Sequence, residues 1–263
     1  MSFSRIGIVG AGIMGEAVIV SLLRAGFPAD AIVILEKREE RREEIERNHG
    51  VSSGSISDCD AIFLLVKPQD LEATLSSLKP DIKEDALVVS FIAGKKIASI
   101  QGVLNPSQRI VRIMPNTPMT LGKGFCALSL GPKATTEDQR WLEKSLSTSS
   151  RVITVSEDLQ DAITALSGSG PAYLFAMVEA MSEAGIRLGL SETDSLEAAK
   201  QVLIGAAAMV ELSGKDPKTL RENVTSPNGT TFAALTKMKE EGFADLIYQA
   251  MKSARDRSIE LGQ

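Results

Sequence analysis

What the chain has little of narrows the field first. One histidine, His49, occurs in 263 residues, in a polar segment far in sequence from both hydroxyl-rich loops described below, where it reads as a surface residue. No cluster of His, Cys and Asp has the spacing of zinc ligands. The two cysteines, Cys59 and Cys126, are far apart with no C-x-x-C, and read as reduced thiols in or near strands of a cytoplasmic protein. No run of about 18 apolar residues is free of charged or turn residues, so no membrane span is expected. Residues 6–23 imitate a signal peptide until Glu16 interrupts them, so export is not expected either. Basic excess is also missing. The net charge is -5, and no basic run interleaved with aromatics appears, which argues against a nucleic-acid surface. Asn223 and Asn228 begin glycosylation sequons, which without a secretion signal read as chance matches.

What is present is enough for a real core: 43% of residues are apolar, and the length suits one large domain or two modest ones. The most informative stretch is Arg5–Gly15. Ile6 to Val9 suits a buried parallel strand, and Glu16 to Leu23 reads as the helix that follows. Between them stands G-x-G-x-x-G: Gly10, Ala11, Gly12, Ile13, Met14, Gly15. Gly10 permits the tight turn, Gly12 lets a pyrophosphate approach the backbone, and Gly15 lets helix pack on strand. The helix start adds free N–H groups and a partial positive charge. Glycines also mark ordinary turns, but a second strand at Ala31–Leu35 completes the context of dinucleotide binding.

That second strand ends at Glu36-Lys37-Arg38. Glu36 falls at nearly the distance of about 20 residues at which an acid holds the adenosine ribose, which favours NAD. Lys37, Arg38, Arg41 and Arg42 favour a 2′-phosphate instead, so the choice between NADPH and NADH stays open. Most of residues 36–47 also read simply as the solvated face of a helix. Further buried strands are expected at Ala61–Val66, Leu87–Ile92 and Arg109–Met114, then Phe125–Leu130 and Arg151–Val155, with a helix near Glu137–Leu146. Strands alternating with helices predict an α/β fold with a doubly wound sheet. The strand from Ala61 ends at Lys67-Pro68-Gln69, where a ligand crevice is expected at the carboxyl end of the sheet; Ala93-Gly94 and Pro115-Asn116 close two further strands.

After Leu159 the β-branched runs stop. Alanine-rich segments of helical period take over at Ala172–Leu188, Glu197–Leu212 and Phe243–Leu261, and in the second of these Val202, Leu203, Ala206, Met209 and Val210 share a face. The expected division is 1–157, a dinucleotide-binding domain of Rossmann type, and 158–263, an all-helical domain. Such alanine-heavy helices leave much apolar face uncovered, which predicts dimerisation.

Two loops carry chemistry. Ser167-Gly168-Ser169-Gly170-Pro171 opens the first long helix, with Ser169 as a cap candidate and Pro171 in the first turn; helix capping alone explains part of it. Asn223 to Thr231 runs into another helix, with hydroxyls and free N–H groups at a helix start suited to a carboxylate. A Pro-Asn-Gly turn with a Thr cap explains about half of that stretch, but does not require Ser226 together with Thr230 and Thr231. No strong acid or base accompanies either loop, and Lys67, at a strand end, fits cofactor contact better. That absence favours a substrate bringing its own proton, as an imine does by arriving as an iminium.

Five stretches together resemble the pyrroline-5-carboxylate reductase family: Val66-Lys67-Pro68-Gln69, Ala93-Gly94, Met114–Pro118, Leu166–Tyr173 and Asn223–Thr231. They occur in the family's order and span nearly the whole chain. The resemblance implies reduction of the cyclic imine Δ1-pyrroline-5-carboxylate to L-proline by NADPH or NADH. It implies that Thr231 hydrogen-bonds the ring nitrogen, and that Ser226, Gly229 and Thr230 hold the carboxylate. Cofactor contacts are implied at the glycine turn, Lys37, Leu65 to Pro68, Ala93 and Gly94, with Glu157 and Asn223 as further positions. The Met114–Pro118 loop, holding Pro115 and Asn116, would lie beside the nicotinamide. A homodimer, in some members assembled into a ring of dimers, is implied as well. The chain departs from the family at Glu36, where a small polar residue is usual, and at Asn228, where glycine is frequent and asparagine tolerates left-handed backbone. Two rivals share parts of this pattern. A β-hydroxyacid dehydrogenase type would need a lysine on the first helix of the second domain, and residues 172–186 contain none. A non-catalytic dinucleotide-binding redox sensor would need neither Ser226 nor Thr231.

Overall fold

A computed structural model describes residues 3–262. The chain divides into two compact units. One runs up to Ser169 and takes in the stretch from Ser253 onward; the other is Gly170–Lys252. The division thus falls later than the expected 157/158 boundary, and the second half of the last helix returns to the first unit.

The first unit is an eight-stranded sheet of order β3-β2-β1-β4-β5-β6-β7-β8. Its strands are β1 Ile6–Val9, β2 Ile32–Leu35, β3 Ser52–Ser53, β4 Ala61–Leu64, β5 Leu87–Ser90, β6 Arg109–Met114, β7 Gly124–Leu130 and β8 Ser150–Thr154. All neighbours pair parallel except β6 with β7, which only a short connection separates, too short for a parallel crossover. The helices of this unit are α1 Ile13–Arg24, α2 Glu39–His49, α3 Leu71–Leu78, α4 Ile97–Val103, α5 Thr136–Leu146 and α6 Gln160–Ile163.

Alternation along each strand builds two cores. Ile8, Ile34, Phe63 and Val89 face a layer with Val18 and Leu22 of α1 and Leu142 of α5. Ile62, Leu64, Val88 and Ile110 face Leu71 and Leu75 of α3 and Ile97 and Ile100 of α4. A strand apolar at every position is what a sheet covered on both faces requires. The strand order reverses across β1 and β4, which opens the crevice at their carboxyl ends.

Ser167 to Gly170 is not the open loop the sequence suggests. A five-residue π turn, Thr164–Gly168, continues from α6, and Ser169 has helical backbone (φ −86°, ψ −19°). An N-cap needs extended backbone, so Ser169 does not cap.

The second unit holds α7 Gly170–Arg187, α8 Glu192–Leu212, α9 Pro217–Asn223, α10 Thr230–Glu240 and the first half of α11, Phe243–Gly262. Ser191 caps α8 through Asp194 N–H, and Asp216 caps α9 through Lys218 and Thr219 N–H. Gly185 of α7 lies against Ser195 of α8, whose hydroxyl donates to the Ser182 carbonyl at 2.6 Å. Elsewhere the apolar faces are open: Phe175 is 61% exposed, Val202 55% and Met209 50%. Among the described residues no helix is long and apolar enough to cross a membrane.

Candidate active site

The glycine turn is built by close approach. Gly10 has φ +94°, which an L side chain resists, and a Cβ on Gly15 would collide with the Gly10 carbonyl. Gly12 has open space where its side chain would be. Helix α1 starts there, with Gly12 at its N-cap making no side-chain cap hydrogen bond, so its first N–H groups have neither an intrahelical partner nor a side-chain cap.

A cleft of about 920 Å³ opens beside this turn. Its lining takes in Gly10 and Gly12 from the turn, Leu35 to Arg38 and Arg42 from the end of β2 and the start of α2, and Leu65 to Lys67 after β4. Apolar walls, a cationic rim and a glycine turn at a helix start fit a dinucleotide. Glu36 is nearly enclosed. Its carboxylate accepts from Ala11 N–H at 3.1 Å and from the Arg38 N–H and Nε, each at 3.0 Å. Burial pushes its pKa up, but these donors, Arg38 foremost, outweigh burial and hold the carboxyl below its ordinary range.

The turn has a second set of anchors on the α2 side. The Arg41 Nε donates to the Ala11 carbonyl at 2.9 Å, and Nη1 donates to Glu44 at 2.7 Å. Its Nη2 reaches Glu16 at 2.5 Å and the Gly12 carbonyl at 3.5 Å. The other Glu16 oxygen meets His49 Nε2 at 2.8 Å. Burial raises the Glu16 pKa, and His49 and Arg41 together overcome it, leaving it lowered. His49 is therefore not the surface residue its polar segment suggests. Its side chain is 16% exposed, because Glu16 on α1 gives the ring a partner. The sequence grouped Arg41 with the cations expected at the ribose; the structure turns it instead to the Ala11 carbonyl and Glu16, because its side chain packs back against the start of α1.

Ala93 and Gly94 follow β5, and here the end of α11 closes in. A Cβ on Gly94 would lie 2.7 Å from the Ser258 carbonyl and 3.0 Å from Leu261. Ser258 donates to Asp161 at 2.7 Å, and Asp161 lies 3.6 Å from the fully buried Arg112 of β6. Glu157 joins this cluster: it accepts from Ile97 N–H at 2.7 Å and Arg112 at 3.4 Å. Its carboxylate is thus engaged at the start of α4. Asn116 is likewise occupied, accepting from Phe125 N–H at 2.8 Å and donating to Ser167 Oγ at 3.2 Å.

In the helical unit, Asn223 ends α9 and is exposed. Asn228 adopts φ +58°, the left-handed backbone expected of it. That turn carries the chain to Gly229, the N-cap of α10, with no side chain capping the helix. Gly229 N–H donates to the Ser226 carbonyl at 3.0 Å, and a Cβ on Gly229 would collide with Ser226 Oγ. Ser226, Gly229, Thr230 and Thr231 are thereby gathered around one helix start, with unpaired N–H groups at its first turn. That is an anion-binding arrangement.

Comparison with known proteins decides the family. A pyrroline-5-carboxylate reductase of Corynebacterium melassecola is 36% identical over 268 residues, spanning 99% of this chain and 99% of that protein. The chain belongs to the pyrroline-5-carboxylate reductase family. The enzyme of that name from Pseudomonas aeruginosa is 36% identical across 100% of this chain and 98% of its own length. The solved structure of a pyrroline-5-carboxylate reductase from Coxiella burnetii superposes with a TM-score of 0.91 at 30% identity, covering both chains entirely. Residues 157–261 match the model for pyrroline-5-carboxylate reductase dimerisation, and residues 5–94 match that for NADP oxidoreductase, coenzyme F420-dependent. The family has a dimerisation module where this chain has its open apolar helices.

Proposed function

We infer that this protein reduces Δ1-pyrroline-5-carboxylate to L-proline with NADPH or NADH, the last step of proline biosynthesis. The full-length 36% identity to reductases of that name carries the reading. Neither rival accounts for so complete a match.

The residue roles are those the resemblance to the family implies, and the cleft at the glycine turn and the helix start at Gly229 support them. A reduced nicotinamide, when bound, supplies the hydride that reaches C5 of the ring. Gly10 to Gly15 offer the pyrophosphate their backbone, and Glu36 with Lys37 flanks the adenosine ribose. Leu65, Val66, Lys67 and Pro68 form the opposite wall. Ala93, Gly94, Pro115 and Asn116 shape the nicotinamide end, where the side chains of Asn116 and Glu157 brace the backbone. Ser226 with the N–H groups of Gly229 and Thr230 holds the substrate carboxylate, and Asn223 stands at the edge of that loop. Thr231 orients the ring nitrogen by a hydrogen bond. No strong general acid is required, since the iminium carries its own proton. The protein works in the cytoplasm as a homodimer whose dimers assemble into a ring.

The test is oxidation of NADPH and of NADH, side by side, with pyrroline-5-carboxylate as acceptor. Turnover with either supports the reading. Nucleotide binding without turnover overturns it and leaves the sensor.

A further inference from the structure

The Ala11 peptide groups are held on both sides. The Ala11 N–H is taken by Glu36 at 3.1 Å and the Ala11 carbonyl by Arg41 Nε at 2.9 Å. A trans peptide is planar, with its C=O and the following N–H on opposite edges. A carbonyl anchored toward α2 therefore turns the Gly12 N–H the other way. Gly12 lines the cleft, and a Cβ there would meet nothing within 4 Å, so a ligand can reach that N–H.

We propose that Arg41 is a positioning residue for the cofactor: by holding the Ala11 carbonyl it aims the Gly12 N–H, and with it the start of α1, at the pyrophosphate. The proposal rests on the reading of this chain as a nicotinamide-dependent reductase. Arg41 does not bind the phosphates itself. Its side chain is only 16% exposed, and its N–H groups are spent on Ala11, Gly12, Glu16 and Glu44. Glu16 and His49 brace it from α1 and from the end of α2, so the guanidinium cannot swing away without stranding a carboxylate. The arrangement differs from the cations at the mouth: Arg38 is 66% exposed and pairs with Glu36, and Arg42 pairs with the outward Glu39.

Pre-orientation of this kind raises affinity by removing the cost of ordering the turn at the moment of binding. It acts only on ligands that carry the diphosphate. The experiment compares the full-length protein with Arg41→Ala, Arg41→Lys and Glu16→Gln. NADPH and NADH are titrated by nicotinamide fluorescence, adenosine by competition, and steady-state kinetics are run in parallel. Arg41→Ala is expected to weaken both dinucleotides about tenfold. The cofactor KM rises by the same factor, while kcat, the KM for the imine acid and adenosine affinity stay put. Arg41→Lys, which can still donate one bond to Ala11, recovers part of the loss. Should Arg41→Ala fail to fold, Glu16→Gln answers in its place, with a loss of about threefold on the same ligands. Unchanged dinucleotide affinity overturns the proposal. So does an equal loss for adenosine, which would mean general loosening of the cleft. If the wild type binds dinucleotide but never turns over, the reading of the reaction falls and the titrations still decide the role of Arg41.

Discussion

Four donors converge on the Asp60 carboxylate: Ser4 N–H at 2.7 Å, Ser4 Oγ at 2.6 Å, Arg5 N–H at 3.1 Å and Lys83 Nζ at 3.3 Å. Burial pushes its pKa up, but these bonds win and bring it down to about 2 from an ordinary 3.8. A folded-state pKa below the unfolded one stabilises above the unfolded value, and the gain fades as pH falls through the folded value. The contribution is therefore complete above about pH 4 and gone near pH 2. With solvent screening allowed for, Asp60→Asn should cost roughly 1–2 kcal/mol at pH 7. Urea unfolding followed from pH 7 to pH 2 should show the variant's curve as the flatter one. Thr231→Ala should lower kcat roughly 10- to 100-fold, the worth of one hydrogen bond to a charged group, while dinucleotide titrations stay unchanged; if both fall together, Thr231 is structural. On the proposal that the ring nitrogen arrives protonated, kcat/KM should decline through the alkaline range, and a flat pH–rate profile would contradict proton delivery by the substrate. Burial lifts the Cys126 thiol to about 11, so it stays protonated at neutral pH.

At the scale of elements, the strands were legible because a strand covered on both faces must be apolar throughout, and Ile6–Val9, Ile32–Leu35 and Ala61–Leu64 are. The glycine turn was legible from its spacing, and the Ser226–Thr231 loop from an excess of hydroxyls over what a cap needs. What stayed hidden depends on long-range partners. Nothing local distinguishes Arg41 from Arg42, yet one reaches the turn and the other does not. Periodicity runs through α11 without a break and gives no sign that its last turns belong with the sheet. The π turn at Thr164–Gly168 was hidden for a similar reason: glycine and serine mark loops until packing, here Gly168 against Met114, says otherwise. The return of α11 gives its own prediction. Ser258→Ala removes the bond to Asp161, worth about 1 kcal/mol, beside a buried arginine whose Nη2 already lacks a hydrogen-bond partner. The melting temperature should drop roughly 2–4 °C in calorimetry.

At the scale of the whole molecule, the helical unit has few side chains of its own to bury. Ser195 and Ala199 are the buried members of α8, while α7 and α10 have none among the described residues. A unit so thin in core cannot carry its own conformational entropy, and the dimerisation match at residues 157–261 names the remedy. Light scattering should give at least a dimer, and dilution should shift the thermal transition downward, as association linked to folding demands. A monomeric mass with a concentration-independent transition would contradict this. The same division of the chain bears on how the protein is made. The sheet unit is interrupted at Ser169 and resumes at Ser253, so the ribosome must add roughly 80 further residues before the piece that backs Gly94 exists, a delay of roughly 4–16 s at common elongation rates. During that interval the nascent sheet has its glycine turn and both cores but lacks the helix end behind Gly94, so the backing of the β5 edge is finished last.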